Sequence, residues 1–475
     1  MSTFNSRQRK AVCVVGILAL LIPIVLLGMP ASGRDSGGGG MLAQLRSEHD
    51  LGESDLGQID PTSATMSFVL LGMRGIAVNM LRMKLDEYKD HKEWALMRST
   101  TEAVITLQPH YVEVWRFLGW NMAWNVSAEW DAVPDRYYWV KEGGKFYQRG
   151  TRRNETIPEL TWETGRVWGQ KIGTADEQRY FRRYFKEDPD IATFGRDGQP
   201  GVDPEINANQ LDNYLVAKEW FEESNAREDN KAQHIMARAL FRSQPARAQL
   251  SYAEALQKDV RFITAEEFRD QADSEEEAEA MAFDARGNNF KLAQQEWAEG
   301  FTEWTTKFGQ EEFQTLGGII RLEATEDDVR ELAARQKDQG VTEQDVRSWI
   351  DRYQKTTNYT YWRTRAQAEA DESTGTAEAH RLIYEGELKL KAGDPNEAKE
   401  MLFRGMSRFA RLLTEYPDLD EEDETVEEAM WAVLLWRKSM ELLGESEPPT
   451  FPLKPTWEKF QGILPELMIR YNRGL

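Results

Sequence analysis

Residues 107–127 read LQPHYVEVWRFLGWNMAWNVS. Pro109 closes the helix ahead of it, because proline pushes the preceding residue out of helical geometry. Trp115, Leu118, Gly119, Trp120 and Ala123 follow. A large aromatic, then a glycine, then an alanine at one-turn spacing is the pattern by which two helices of a tetratricopeptide pair stack closely. The arrangement Pro109–Trp115–Gly119 recurs loosely as Pro158–Trp162–Gly165, about 47–49 residues on, longer than the standard unit of about 34. Farther along, Gly386, the turn Gly393-Asp394 and Ala398 repeat the small-residue spacing of such a pair. The expected fold is therefore all-α, a tetratricopeptide-like helical-repeat solenoid.

Helix signals dominate after residue 60. Trp94, Leu96, Met97, Val104 and Leu107 mark one helix, and Pro158 opens another. Thr264-x-x-Glu267, Ser274-x-x-Glu277, Thr325-x-x-Asp328 and Thr342-x-x-Asp345 each read as a helix start with reciprocal capping. A long helix is predicted over about 288–308, and only 314–322 leaves a short strand in competition. Residues 188–205 (DPDIATFGRDGQPGVDPE) break the helical pattern with proline and glycine and read as a linker. Asp197, Asp203 and Glu205 within it lack EF-hand spacing. The domain reading is 1–40 anchor and tether, 41–187 an N-terminal helical lobe, 188–210 a linker, 211–345 a middle helical region and 346–475 a C-terminal helical lobe.

Upstream of the repeats, Arg7, Arg9 and Lys10 precede the uncharged run AVCVVGILALLIPIVLLGM at 11–29. At about 1.5 Å per helical residue this run matches a hydrocarbon core of about 30 Å. It reads as a transmembrane anchor, and the basic residues ahead of it favour the cytoplasmic side. The expectation is a single pass through the cytoplasmic membrane with the bulk extracytoplasmic. The alternative is secretion after cleavage near Ala31-Ser32-Gly33. Ser36 and the four glycines after it read as a flexible tether.

The 475-residue chain carries a formal net charge of −22, which repels phosphate backbones and argues against a nucleic-acid partner. Cys13 is the only cysteine, so no intramolecular disulfide forms. His49, His91, His110, His234 and His380 do not fall at metal-ligand spacing. No nucleophile elbow, phosphate-binding loop, dinucleotide fingerprint or zinc-protease motif is present. No catalytic residue, metal or cofactor is expected.

The stretches MSFVLLGMRGIAVNMLRMK (66–84), LQPHYVEVWRFLGWNMAWNVS (107–127), DRYYWVKEGGKFYQRGTRRN (135–154), TWETGRVWGQKIG (161–173) and QLSYAEALQKD (249–259) resemble a set of planctomycete membrane proteins. Some of these carry the label "iron-responsive element", which names an RNA structure and assigns a protein no chemistry. The resemblance implies an N-terminal anchor, tetratricopeptide-like helices and a bacterial source. It carries over no catalytic residues.

The candidate binding surface is the aromatic cluster Trp115, Trp120, Trp124, Tyr137, Tyr138 and Trp139. Such rings stack on a peptide or a sugar, or simply fill the space between long helices. Asn121 and Asn125, one turn apart, could clamp a peptide backbone. Lys145, Arg149, Arg152 and Arg153, with Arg179, Arg182 and Arg183, form a basic ridge suited to an acidic partner or to pairing with the chain's own carboxylates. The first functional reading is an anchored scaffold that binds a protein or peptide through Trp120, Asn121, Trp124, Asn125 and this ridge, with the membrane held through 11–29. The second is an α/α-toroid enzyme acting on carbohydrate in a Trp-lined carboxylate pocket, with Asp131, Asp135, Glu163 and Asp176 as its first acid–base suspects.

Overall fold

The computed structural model describes residues 74–195, 197–315, 318–421 and 423–474. Nearly all regular structure in them is helical. The described residues divide into two compact units. One runs to Val167 and takes in Ala175–Tyr184; the other holds Trp168–Thr174 and continues from Phe185.

The longer helices of the first unit are α1 (Arg74–Asp90), α2 (Trp94–Leu107), α3 (Val112–Trp120), α4 (Val133–Arg153) and α5 (Pro158–Arg166). Prolines sit in the first turns of α4 and α5, where their missing N–H costs nothing. Pro109 does more than stop α2. Its carbonyl accepts from the buried indole Nε1 of Trp115 at 2.8 Å and from Asn154 Nδ2 at 3.2 Å. Helix α3 lies close on α4 because its small residues leave room. A Cβ on Gly119 would stand 2.5 Å from the Tyr147 ring, and one on Gly143 would stand 2.9 Å from Ala123. Gly119→Ala will therefore lower stability by about 1–3 kcal/mol through overpacking. Gly75→Ala, where nothing lies within 4 Å, is the control. Equal urea midpoints for the two variants would show that this close approach does not hold α3 on α4.

The longer helices of the second unit are α6 (Asn213–Glu228), α7 (Gln244–Asp259), α8 (Glu275–Thr302), α9 (Glu326–Arg335), α10 (Glu343–Thr357), α11 (Tyr359–Ala370), α12 (Thr376–Lys391), α13 (Pro395–Glu415), α14 (Asp423–Leu443) and α15 (Leu464–Gly474). Thr325 and Thr342 form reciprocal capping boxes with Asp328 and Asp345. Ser274 caps α8 at Glu277, and with no breaker behind it the helix starts at Glu275, well before 288. Thr264 makes no cap, and only a 3₁₀ turn follows it. A hairpin, Phe313–Thr315 with Gly318–Ile320, occupies the place where a strand competes. In the α12–α13 pair a Cβ on Gly386 would stand 2.7 Å from Leu402, and Gly393 turns the chain at φ +85°. Ala398 is wholly buried. Between 188 and 210, Asp190 and Asp203 cap short helices by accepting from Thr193 N and Glu205 N.

His380 on α12 sits between two carboxylates, its Nδ1 2.7 Å from Glu428 on α14 and its Nε2 3.0 Å from Glu369 on α11. Gln257 on α7 donates to the same Glu369 oxygen at 2.7 Å. Burial alone would lower the imidazole pKa, but the attraction of Glu428 and Glu369 outweighs it and holds it well above the ordinary value. A raised folded pKa contributes stability that is fully present below the unfolded value of about 6.5 and is lost as pH rises through the folded one. His380→Gln will flatten the fall of the melting temperature as pH rises above about 6.5. An unchanged profile would remove His380 as its source.

The expectation of a membrane anchor is corrected here. Among the described residues no helix is long and apolar enough to cross a membrane. The run 11–29, on which the anchor, the membrane contact and the extracytoplasmic placement all rest, lies outside the described residues. Among the described residues the fold is an all-α helical repeat with one short hairpin, in place of a single-pass, membrane-anchored architecture.

Candidate functional site

A cleft of about 430 Å³ opens in the first unit. Helix α1 lines it with Arg82, Leu85, Asp86 and Lys89, whose three- and four-residue spacing puts them on one face. Tyr111, Glu113, Arg116, Phe117 and Trp120 come from α3 and the residue ahead of it, Tyr147 from α4, and Glu163 and Arg166 from α5.

Helix α3 does not end at Trp120. It continues as a π-helical turn, Asn121–Val126, which widens the coil. Asn121 and Asn125 line the cleft from this turn. Asn121 is buried, and its Nδ2 donates to Phe117 O at 2.7 Å while its Oδ1 accepts from Asn125 Nδ2 at 2.7 Å. Asn121 is therefore occupied in orienting Asn125. Trp120, 38% exposed, stacks on Trp124 with ring centroids 4.2 Å apart and planes 9° off parallel. The Arg166 guanidinium lies 4.6 Å from the Trp120 centroid, 4.8 Å from that of Trp124 and 5.2 Å from that of Trp162.

Glu163 is buried between two guanidiniums. Arg166 Nη2 lies 2.6 Å from one carboxylate oxygen and Arg116 Nε 3.4 Å from the other. Arg116 also reaches the exposed Glu113 at 3.2 Å. Burial pushes the Glu163 carboxyl up, and the two arginines only partly pull it back. Glu163 Oε2 makes no aligned hydrogen bond, so its contact with Arg166 is chiefly ionic. Tyr147 is driven well above its ordinary range by burial and by the Glu163 charge. Its hydroxyl donates to Arg116 O at 2.9 Å and backs the arginine that spans Glu113 and Glu163.

The residues expected from the sequence separate. Trp120, Asn121 and Asn125 line the cleft, and Trp124 stacks behind Trp120. Lys145, Arg149, Arg152 and Arg153 do not line it; Arg149 pairs with Glu102 at 2.6 Å and lies 5.2 Å from the Phe146 ring. Of the four carboxylate suspects Glu163 is in the cleft, whereas Asp131, Asp135 and Asp176 are not. Trp115 and Tyr137 are core, while Tyr138 is exposed. Arg82, Lys89, Tyr111, Arg116 and Arg166 are the residues that sequence reasoning missed. A polar face on α1 looks like any solvated helix face until Tyr111 and Phe117 come within reach of Arg82 and Lys89. Among the described residues no group of three or more His, Cys, Asp or Glu is placed to hold a metal ion.

No family model matches the chain, and no curated protein matches it. The likeness to planctomycete proteins rests on the quoted stretches alone.

Proposed function

We propose that the cleft of the first unit is a carbohydrate-directed site. One observation carries this: a partly exposed indole, a buried carboxylate, guanidiniums and a carboxamide share one cleft. A pyranose offers an apolar C–H face to an aromatic ring and pairs of hydroxyls to planar polar groups. Trp120 supplies the ring, and Asn125, Arg116 and Glu113 supply the planar groups. This is the chemistry of the Trp-lined carboxylate pocket, and it needs no membrane. The Asn121–Asn125 bond argues against a two-amide peptide clamp, since one amide already serves the other.

Glu113 and Glu163 flank one guanidinium in unlike environments, exposed and buried. Unlike environments are how paired carboxyl groups come to divide acid and base roles. Glu163, raised by burial, suits the acid; substrate entry has to draw Arg166 off it, and the freed carboxylate has to take up a proton from solvent, before it can protonate the leaving oxygen.

The test is a panel of soluble oligosaccharides titrated calorimetrically into the full chain. Trp120→Ala will weaken binding by about tenfold or more, the loss of about 1.4 kcal/mol of stacking. If no oligosaccharide binds, the proposal falls. Release of reducing ends by wild type and not by Glu163→Gln would extend it to hydrolysis. A second reading, contact with another protein, is favoured by a groove of about 500 Å³ beside α13 and α14, where Phe403 is exposed.

A further inference from the structure

We infer that the ligand of this cleft is acidic: a glycan whose carboxylate or sulfate seats against Arg82 and Lys89. The inference rests on the carbohydrate reading and names its substrate class.

The charges lining the cleft carry it. Four cations, Arg82, Lys89, Arg116 and Arg166, face three acids, Asp86, Glu113 and Glu163. Glu113 and Glu163 are engaged by Arg116 and Arg166. That leaves Arg82 and Lys89 with Asp86, which lies on the same helix face; among the described residues neither cation has an ion-pair partner. In a chain of net charge −22, two cations in one cleft without a carboxylate partner among the described residues are an unbalanced feature that an anion would balance.

Their mounting suits such a ligand. Arg82 donates to the Tyr111 hydroxyl and lies 5.9 Å from that ring, so its guanidinium is held in place and keeps further N–H groups for a planar oxyanion. Lys89 lies 6.0 Å from the Phe117 ring and adds a mobile point charge seven residues along the same face. Lys89 is also in the last turn of α1, where a cation complements the helix dipole. Arg82 stands in mid-helix and has no such explanation. The aromatic rings at the cleft distinguish the site from a simple phosphate cradle, since they favour an anion carried on a ring that can stack.

The experiment titrates an oligogalacturonate, its fully methyl-esterified form and a sulfated oligosaccharide into the full-length chain, at about 50 mM and about 500 mM salt. Arg82→Gln, Lys89→Gln and Trp120→Ala are run beside wild type, with circular dichroism to confirm folding. Either acidic ligand binding about tenfold or more tightly than the ester, with that advantage lost at high salt and in Arg82→Gln, supports the inference. Which acidic ligand does so assigns carboxylate or sulfate. Equal binding of acid and ester, or full retention in both glutamine variants, overturns it. In that case the carbohydrate reading stands, because the ester still binds and Trp120→Ala still weakens it. If no ligand in the panel binds wild type, both fall together.

Discussion

Glu385→Ala will destabilise the protein by about 3–5 kcal/mol, because it strands a buried guanidinium. Arg286 on α8 meets Glu385 on α12 through two bonds, Nε to Oε1 at 2.7 Å and Nη2 to Oε2 at 3.0 Å. Both side chains are 2% exposed. Arg286 also donates to Ile263 O at 3.2 Å and to the exposed Glu279 at 2.9 Å, so its donors are nearly all placed. With Glu385 gone, Glu279 is too solvated to compensate the charge. The double variant Arg286→Met/Glu385→Met will recover most of the loss, since packed apolar groups of similar volume often replace a buried ion pair without penalty. Urea unfolding of wild type, Glu385→Ala and the double variant reads both outcomes. A loss below about 1 kcal/mol for Glu385→Ala would show the pair to be solvated, and the argument from burial would fail.

Trp115→Ala and Trp120→Ala will part company although five residues separate them. Trp115 is 2% exposed, lies 4.8 Å from the Phe146 ring and donates its indole N–H to Pro109 O. Its removal opens a cavity and frees a buried carbonyl from its strongest partner, at a cost of about 3–5 kcal/mol. Trp120 is far more exposed, and its loss will cost less than about 1 kcal/mol of stability while weakening the ligand. Thermal melts with calorimetric titrations of the two variants separate these outcomes. Equal destabilisation would make Trp120 a core residue and remove the platform from the proposed site.

Much of the fold is legible along the chain. Pro109 and Pro158 punctuate helices, Thr325 and Thr342 cap them, and Gly119, Gly386 and Ala398 mark close approaches, because each of these effects is settled within a turn or two. The site is less legible. Trp120, Asn121, Asn125 and Glu163 could be picked out by residue type, but nothing local says that Trp115 turns inward and Trp120 outward. Nor does anything local say that the coil loosens into a π turn at Asn121.

The sequence by itself determined a helical chain, where most of its helices start and stop, and which small residues let them pack, because capping, proline geometry and apolar spacing are short-range physics. Tertiary structure alone decided that Arg82 and Lys89 of α1 stand in one cleft with Arg116 of α3 and Arg166 of α5, and that Arg149 on α4 is paired elsewhere. Which charge is neutralised and which stays unpaired depends on distances between segments far apart in the chain, and those exist only once the helices have packed.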